Sequence, residues 1–199
     1  AAAQKGGFPT FMLKEIHEQP GTTKAALSID AEEIRALARM MHESERTYLV
    51  GVGTTYYVSL VAHYYFASLA GKFFPVVSSD EFEYSAEVND RTLFLCSSQS
   101  GETYDTLKAL RFAKKRGAKS AAVVNVVGSS ISREVDHAIM QSSGPEICVL
   151  STKAAISQMV VLLRTALELG RLNGSLSEQA YQDRQNELQQ LPEKIQWVL

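Results

Sequence analysis

The stretch "TLFLCSSQSGETYDTLKAL" (92–110) passes from an apolar run through a loop of hydroxyls into helical spacing. Thr92 to Cys96 read as a strand, and Leu107, Leu110 and Ala113 recur at i, i+3 and i+6 on a helix expected over 102–116. Gly117 stops that helix, and "KKRG" (114–117) places cations where they complement its carboxyl-terminal dipole. Between strand and helix, "SSQSGET" (97–103) holds Ser97, Ser98, Ser100, Thr103, the amide Gln99, Gly101 and Glu102, and no cation. Strand, polar loop and helix form one step of an α/β fold.

Outward from that step the pattern repeats. "TYLVGVG" (47–53) is a strand, 55–71 a mostly buried helix ending at Gly71, and "FFPVVSS" (73–79) a second strand. After the third strand (92–97) come "SAAVVNV" (120–126) as a fourth, "SSISREV" (129–135) as a short helix and "HAIMQS" (137–142) as a fifth. Upstream, "KGGFPTFMLKEIHEQPG" turns helical until Gln19–Gly21 break it. Asp30 with Glu33 then reads as a capping box before a helix with Ile34, Leu37, Met40 and Met41 on one side. Downstream, a long helix runs from Ser151 to Leu172, and a polar, Gln-rich helix fills 177–198. Near-continuous apolar strands alternating with helices predict a parallel sheet covered on both faces.

Bulk composition narrows the function classes. The 199 residues are 45% hydrophobic and 21% charged, with a formal charge of −2. Such a chain offers no clustered positive charge for nucleic acid. Cys96 and Cys148 sit in apolar runs and read as buried, reduced thiols of a cytoplasmic protein. No run approaches a membrane span, and the start lacks a signal peptide's basic and apolar regions. The opening "AAAQKGG", without a methionine, reads as the edge of an excised fragment.

In an open parallel sheet, ligands bind beyond the carboxyl ends of the strands. Three small-residue clusters stand in such places: "GVGTT" (51–55), "SSQSGET" (97–103) and "VLSTK" (149–153). The first fails as a dinucleotide fingerprint, because Tyr56 occupies the third glycine's position. The second offers hydroxyls and free amides at a helix N-terminus, which attracts phosphate without lysine or arginine. Helix capping alone is the bland alternative, yet one cap uses only one or two such residues. In the third, Ser151 or Thr152 is a natural cap. Lys153 opposes the dipole there and calls for an acid such as Glu146, or a ligand. Acids and bases are few. His17, His42, His63 and His137 are scattered, without metal-ligand spacing. Glu102 reads as a general base or as a dipole partner, and Glu81 as a pocket residue or a loop anchor. The aromatics of "YYVSLVAHYYF" (56–66) read as core and interface.

Taken together, "GVGTTYY", "DEFEY", "SSQSGETYDTL", "VVNVVGSSISREVD" and "GPEICVLSTKAAISQ" resemble, in order and spacing, the motifs of SIS (sugar isomerase) domains. More narrowly, residues 5–199 resemble the first of the two SIS subdomains of glutamine–fructose-6-phosphate aminotransferases. "KGGFPTFMLKEIHEQP" resembles the segment joining glutaminase and isomerase domains in that family. The resemblance implies a five-stranded, flavodoxin-like three-layer sandwich. It implies a lead-in (1–20), a sugar-phosphate-binding domain (21–175) and a C-terminal linker or interface helix (176–199). Thr54, Thr55, Ser98, Gln99, Ser100 and Thr103 would hold the phosphate of a hexose 6-phosphate, with Val149 and Ser151 on the sugar hydroxyls.

It further implies a role in amino-sugar synthesis with no cofactor or metal. Partners would be a glutaminase domain, a second SIS half and a second copy of the chain. The isomerising acid, lysine and ring-opening histidine would lie in that second half, so this chain is expected to bind substrate and not convert it. Three departures stand out: "GTT" for the usual "GTS", Asp80 and Glu83 where the family motif has serine and arginine, and bulky Leu150 for alanine. A free-standing isomerase or a regulatory SIS module are the other classes. The acidic balance and the lack of a helix-turn-helix pattern weigh against a regulator.

Overall fold

A computed structural model describes residues 4–199, so the first three residues of the lead-in lie outside the described residues. The elements follow in the order α1 (Phe11–His17), α2 (Gln19–Leu27), α3 (Ala31–Glu43), β1 (Arg46–Gly51), α4 (Thr54–Ala70) and β2 (Val76–Ser78). Then come α5 (Phe82–Ser85), β3 (Thr92–Ser98), α6 (Tyr104–Lys115), β4 (Lys119–Val124), α7 (Ser130–Glu134) and β5 (His137–Met140). The chain finishes with α8 (Lys153–Leu172), α9 (Glu178–Gln189) and α10 (Leu191–Val198).

All strand pairs are parallel, in the order β2-β1-β3-β4-β5. The two-residue pleat divides the core into two layers. Leu49, Leu93, Leu95, Val123 and Ile139 face α2, α3, α4 and α8, while Tyr48, Val50, Phe94, Cys96 and Val124 face α5, α6 and α7. This is the doubly wound, three-layer sandwich the apolar strands predict. The four-residue α5 is anchored in the core by Phe82. Phe82 is fully buried and meets Tyr48 and Phe94 edge-on at 5.4 and 5.1 Å. Burying such a ring contributes about 2–3 kcal/mol. At the far end, α10 packs back on α2, which itself lies on α8.

Several boundaries differ from the sequence reading. The break expected at Gln19–Gly21 falls at Glu18, and Pro20 sits in the first turn of α2, where its missing N–H costs nothing. β2 shrinks to three residues, because Pro75 cannot donate to the ladder and accepts from Leu49 N instead. The single Gln-rich helix is two, α9 and α10, with Pro192 in the first turn of the second. Asp30 caps α3 by accepting from Glu32 N at 2.9 Å. Glu33 does not close a box; its carboxylate lies 3.8 Å from His137.

Cys148 is half-buried on the loop after β5 and not in a strand, whereas Cys96 is fully buried in β3. Burial pushes the Cys96 thiol up to about 12, so it stays protonated at pH 8. A maleimide label at pH 8 should therefore leave Cys96 unmodified in the native chain and reach it only in denaturant, as peptide mass mapping would show. Among the described residues, no helix is long and apolar enough to cross a membrane.

Candidate functional site

Strands β1 and β3 run side by side, in register from Arg46 opposite Thr92 to Val50 opposite Cys96. Here the winding reverses: the chain steps from β1 out to β2, then crosses to β3 on the other side. The two loops leaving these strands diverge over opposite faces, the arrangement at which open α/β sheets form a ligand crevice.

The β1 loop reaches this position through Gly51. A β-carbon there would stand 2.6 Å from the Thr55 carbonyl carbon and oxygen, so only glycine lets the start of α4 settle onto the strand end. No side chain caps α4, whose cap residue is Gly53. Thr54 opens the helix half-buried. The Thr55 hydroxyl is engaged within its own turn, donating to Val52 O at 2.9 Å and accepting from Val52 N at 3.0 Å.

The β3 loop is organised by its own serines. Ser98 Oγ accepts from Gly101 N at 3.0 Å and lies 3.4 Å from Thr103 Oγ1, and Ser100 Oγ accepts from Glu102 N at 3.2 Å. Ser100 Oγ therefore keeps its proton with which to donate, and the Ser98–Thr103 pair spends one of its two protons on their mutual contact and keeps the other. Gly101 has φ +67, and a β-carbon on it would meet Ser129 Oγ at 2.1 Å. That contact presses the loop against the start of α7. Thr103 is the N-cap of α6, yet no side chain accepts from that helix's first-turn amides. The Gln99 side chain makes no hydrogen bond among the described residues. Two helices of 17 and 12 residues thus present N-termini uncapped by side chains at one switch point. Each carries free amide donors and the positive end of a dipole, with no lysine or arginine in either loop.

Glu102 is no base here. Its Oε1 accepts from Ser130 N at 2.7 Å, and Ser130, through its hydroxyl first and its backbone N–H second, holds the carboxyl below the usual range. Three of the four histidines are likewise engaged in structure, and His42 is exposed. His63 Nδ1 lies 2.8 Å from Phe74 O, His137 Nε2 lies 3.0 Å from Glu33 O, and His17 stacks on Phe8. Glu83 pairs with Lys108 at 2.8 Å, and Asp80 accepts from the Ser78 hydroxyl. Both acids at the departing motif positions therefore have partners within the chain.

Val149 and Ser151 stand apart from this cluster, on the loop after β5, at the same edge of the sheet but beyond β4. Val149 is fully exposed, and Ser151 Oγ donates to Glu146 Oε2 at 2.9 Å. Glu146 Oε1 also accepts from Thr152 N at 2.9 Å and Ala154 N at 3.2 Å, so it caps α8 and does not pair with Lys153. The acid beside Lys153 is Glu18, 2.6 Å away. Sequence reasoning missed Glu15 as well: its carboxylate, 2% exposed, accepts from Ile147 N at 2.6 Å and Cys148 N at 3.3 Å. The only sequence signal was the i, i+3 spacing of Glu15 and Glu18 in "KEIHE", which puts both on one helix face.

Comparison with known proteins adds a relationship to this geometry. The chain is 44% identical over its whole length to a glutamine–fructose-6-phosphate aminotransferase [isomerizing] of Methanocaldococcus jannaschii, covering 18% of that protein. It is 42% identical over 99% of its length to the enzyme of the same name from Thermococcus kodakarensis, covering 33% of it. It therefore spans a third or less of the length of these two relatives. Among solved structures, it superposes with a TM-score of 0.87 and 34% identity on the C-terminal domain of glucosamine-fructose-6-phosphate aminotransferase from Francisella tularensis. That match covers 96% of this chain and 55% of the other. The SIS domain model matches residues 40–167, from within α3 to within α8, and so takes in the whole sheet and both loops of the switch point. With its sheet and that span in agreement, the chain belongs to the SIS domain family.

Proposed function

We propose that the crevice binds a hexose 6-phosphate, fructose 6-phosphate first, and that the chain is the substrate-binding SIS half of an isomerising aminotransferase in amino-sugar synthesis. The observation that carries this reading is the meeting of two side-chain-uncapped helix N-termini at the switch point. A phosphate dianion is the ligand that such termini, with serine hydroxyls and no cation, would hold. Ser98, Ser100 and Thr103 donate to its oxygens, with Thr54 and Gln99 alongside, while Thr55 shapes the turn. Val149, through its backbone, and Ser151 take the sugar hydroxyls.

The names of the relatives support fructose 6-phosphate over other anions. The domain plan follows: a lead-in (1–20), a binding domain (21–175) and a C-terminal interface element (176–199), working beside a second SIS half and a glutaminase domain. A second copy of the chain is the further partner. Tyr57 and Tyr64, 65% and 69% exposed one above the other on α4, are surface for such contacts.

Calorimetric titration with fructose 6-phosphate tests the reading. Gln99→Ala together with Ser100→Ala should weaken binding at least tenfold, because a hydrogen bond to a charged group contributes roughly 1.5–3 kcal/mol. Unsubstituted fructose should not bind. Equal affinity of variant and parent for fructose 6-phosphate would remove the phosphate role of the β3 loop.

A further inference from the structure

The loop that carries Val149 and Ser151 is fastened at three places. At its base, Asn125 Nδ2 donates to Gly144 O at 2.7 Å and Asn125 Oδ1 accepts from Ser143 N at 3.0 Å. At its far end, Glu146 holds Ser151 and the first amides of α8. Between them, the only acceptor for the amides of Ile147 and Cys148 among the described residues is the Glu15 carboxylate, more than 130 positions away in sequence. Residues 149 and 150 are thus a two-residue span between fixed points, and both are exposed. Glu15 is 2% exposed although it belongs to the surface helix α1, and its neighbour Glu18, one turn on, grips Lys153 of α8, whose side chain is 6% exposed. Both acids of "KEIHE" therefore reach across to the segment 146–153. The carboxylate's bond to Ile147 N is short and charge-assisted, and its longer contacts to Cys148 N share the same charge.

We infer that Glu15 is a positioning residue for the sugar-hydroxyl loop, so that the seat of α1 sets how tightly the sugar, as distinct from its phosphate, is held. The inference rests on the function proposed above and adds to it. The phosphate loops after β1 and β3 do not involve Glu15, and that separation makes the two contributions measurable apart.

The test is a nitrogen-15 NMR titration of the full chain with fructose 6-phosphate and, separately, with inorganic phosphate. Glu15→Ala should weaken fructose 6-phosphate about tenfold and leave inorganic phosphate within twofold. Glu15→Gln should fall between parent and Glu15→Ala, since its amide oxygen still accepts one N–H. Unchanged fructose 6-phosphate affinity in Glu15→Ala overturns the inference, and so does equal weakening of both ligands, which is the mark of general destabilisation. Hydrogen exchange on the unaltered chain gives a second reading that needs no variant. The amides of Ile147 and Cys148 should be protected, and more so with fructose 6-phosphate than with phosphate. Free exchange at both positions also overturns it. An unaltered chain that takes neither ligand refutes the phosphate reading itself, a different failure from a chain that binds both and ignores Glu15.

Discussion

Gly51→Ala should destabilise the chain by roughly 3 kcal/mol and abolish measurable sugar-phosphate binding. The new methyl would stand 2.6 Å from the Thr55 carbonyl group and 2.8 Å from Tyr56 N. These are backbone atoms of the first turn of α4, so no side chain can swing away to relieve the clash. Overpacking of this kind costs about 1–3 kcal/mol, and a backbone obstacle puts it at the upper end. The only relief is to lift α4 off the end of β1, which displaces Thr54 and the helix N-terminus from the crevice. Urea unfolding would report the stability, and calorimetry with fructose 6-phosphate the binding. Gly21→Ala is the control. A β-carbon there meets nothing within 4 Å, and alanine in a helix is favoured by up to about 1 kcal/mol. Its unfolding midpoint should stay level or rise. A Gly51→Ala chain with unchanged midpoint and affinity would show that α4 does not rest on Gly51.

Arg164→Ala should be the most costly change away from the crevice. Arg164 projects from α8 at 8% exposure and donates to Ala26 O at 2.8 Å and Ile29 O at 2.9 Å, so it closes the carboxyl end of α2. Burial lowers the guanidinium's pKa from its ordinary value, which is the sign of a charge seated at some desolvation cost. Truncation leaves two carbonyls without partners and a cavity between α2 and α8. At about 1–3 kcal/mol for each buried, unsatisfied group, a loss on the order of 3–4 kcal/mol is expected in chemical denaturation. Arg164→Lys should recover less than half, because a single ammonium cannot reproduce the two-pronged geometry. Full recovery by lysine would mean that charge alone matters at this site.

The elements that were legible in the sequence are those whose signal is local. The strand at 92–98 announces itself by its apolar run and α6 by the spacing of Leu107, Leu110 and Ala113. The SIS motifs named the fold. Boundaries blurred where proline acts: Pro75 shortens β2, Pro192 divides the last helix, and Pro20 opens a helix instead of ending one. The site was legible in part for the same reason. The serine loop is contiguous, so its composition could be weighed directly. The bonds from Glu15 to residue 147 and from Glu18 to Lys153 span about 130 positions and carry no local pattern. Lys153 in a first turn did signal a partner, read as Glu146 or a ligand, but the acid that comes is Glu18. Thr55, expected among the phosphate-holding groups, has its hydroxyl bonded within its own turn, an engagement that its place in the sequence does not show.

The packing of α10 on α2 gives the chain a single doorway. Its second and last helices lie together on the α8 side of the sheet, so the two ends of the fold are packed against one another. Because α1 leads into α2 and also carries Glu15, that packing is continuous through Glu15 with the loop after β5.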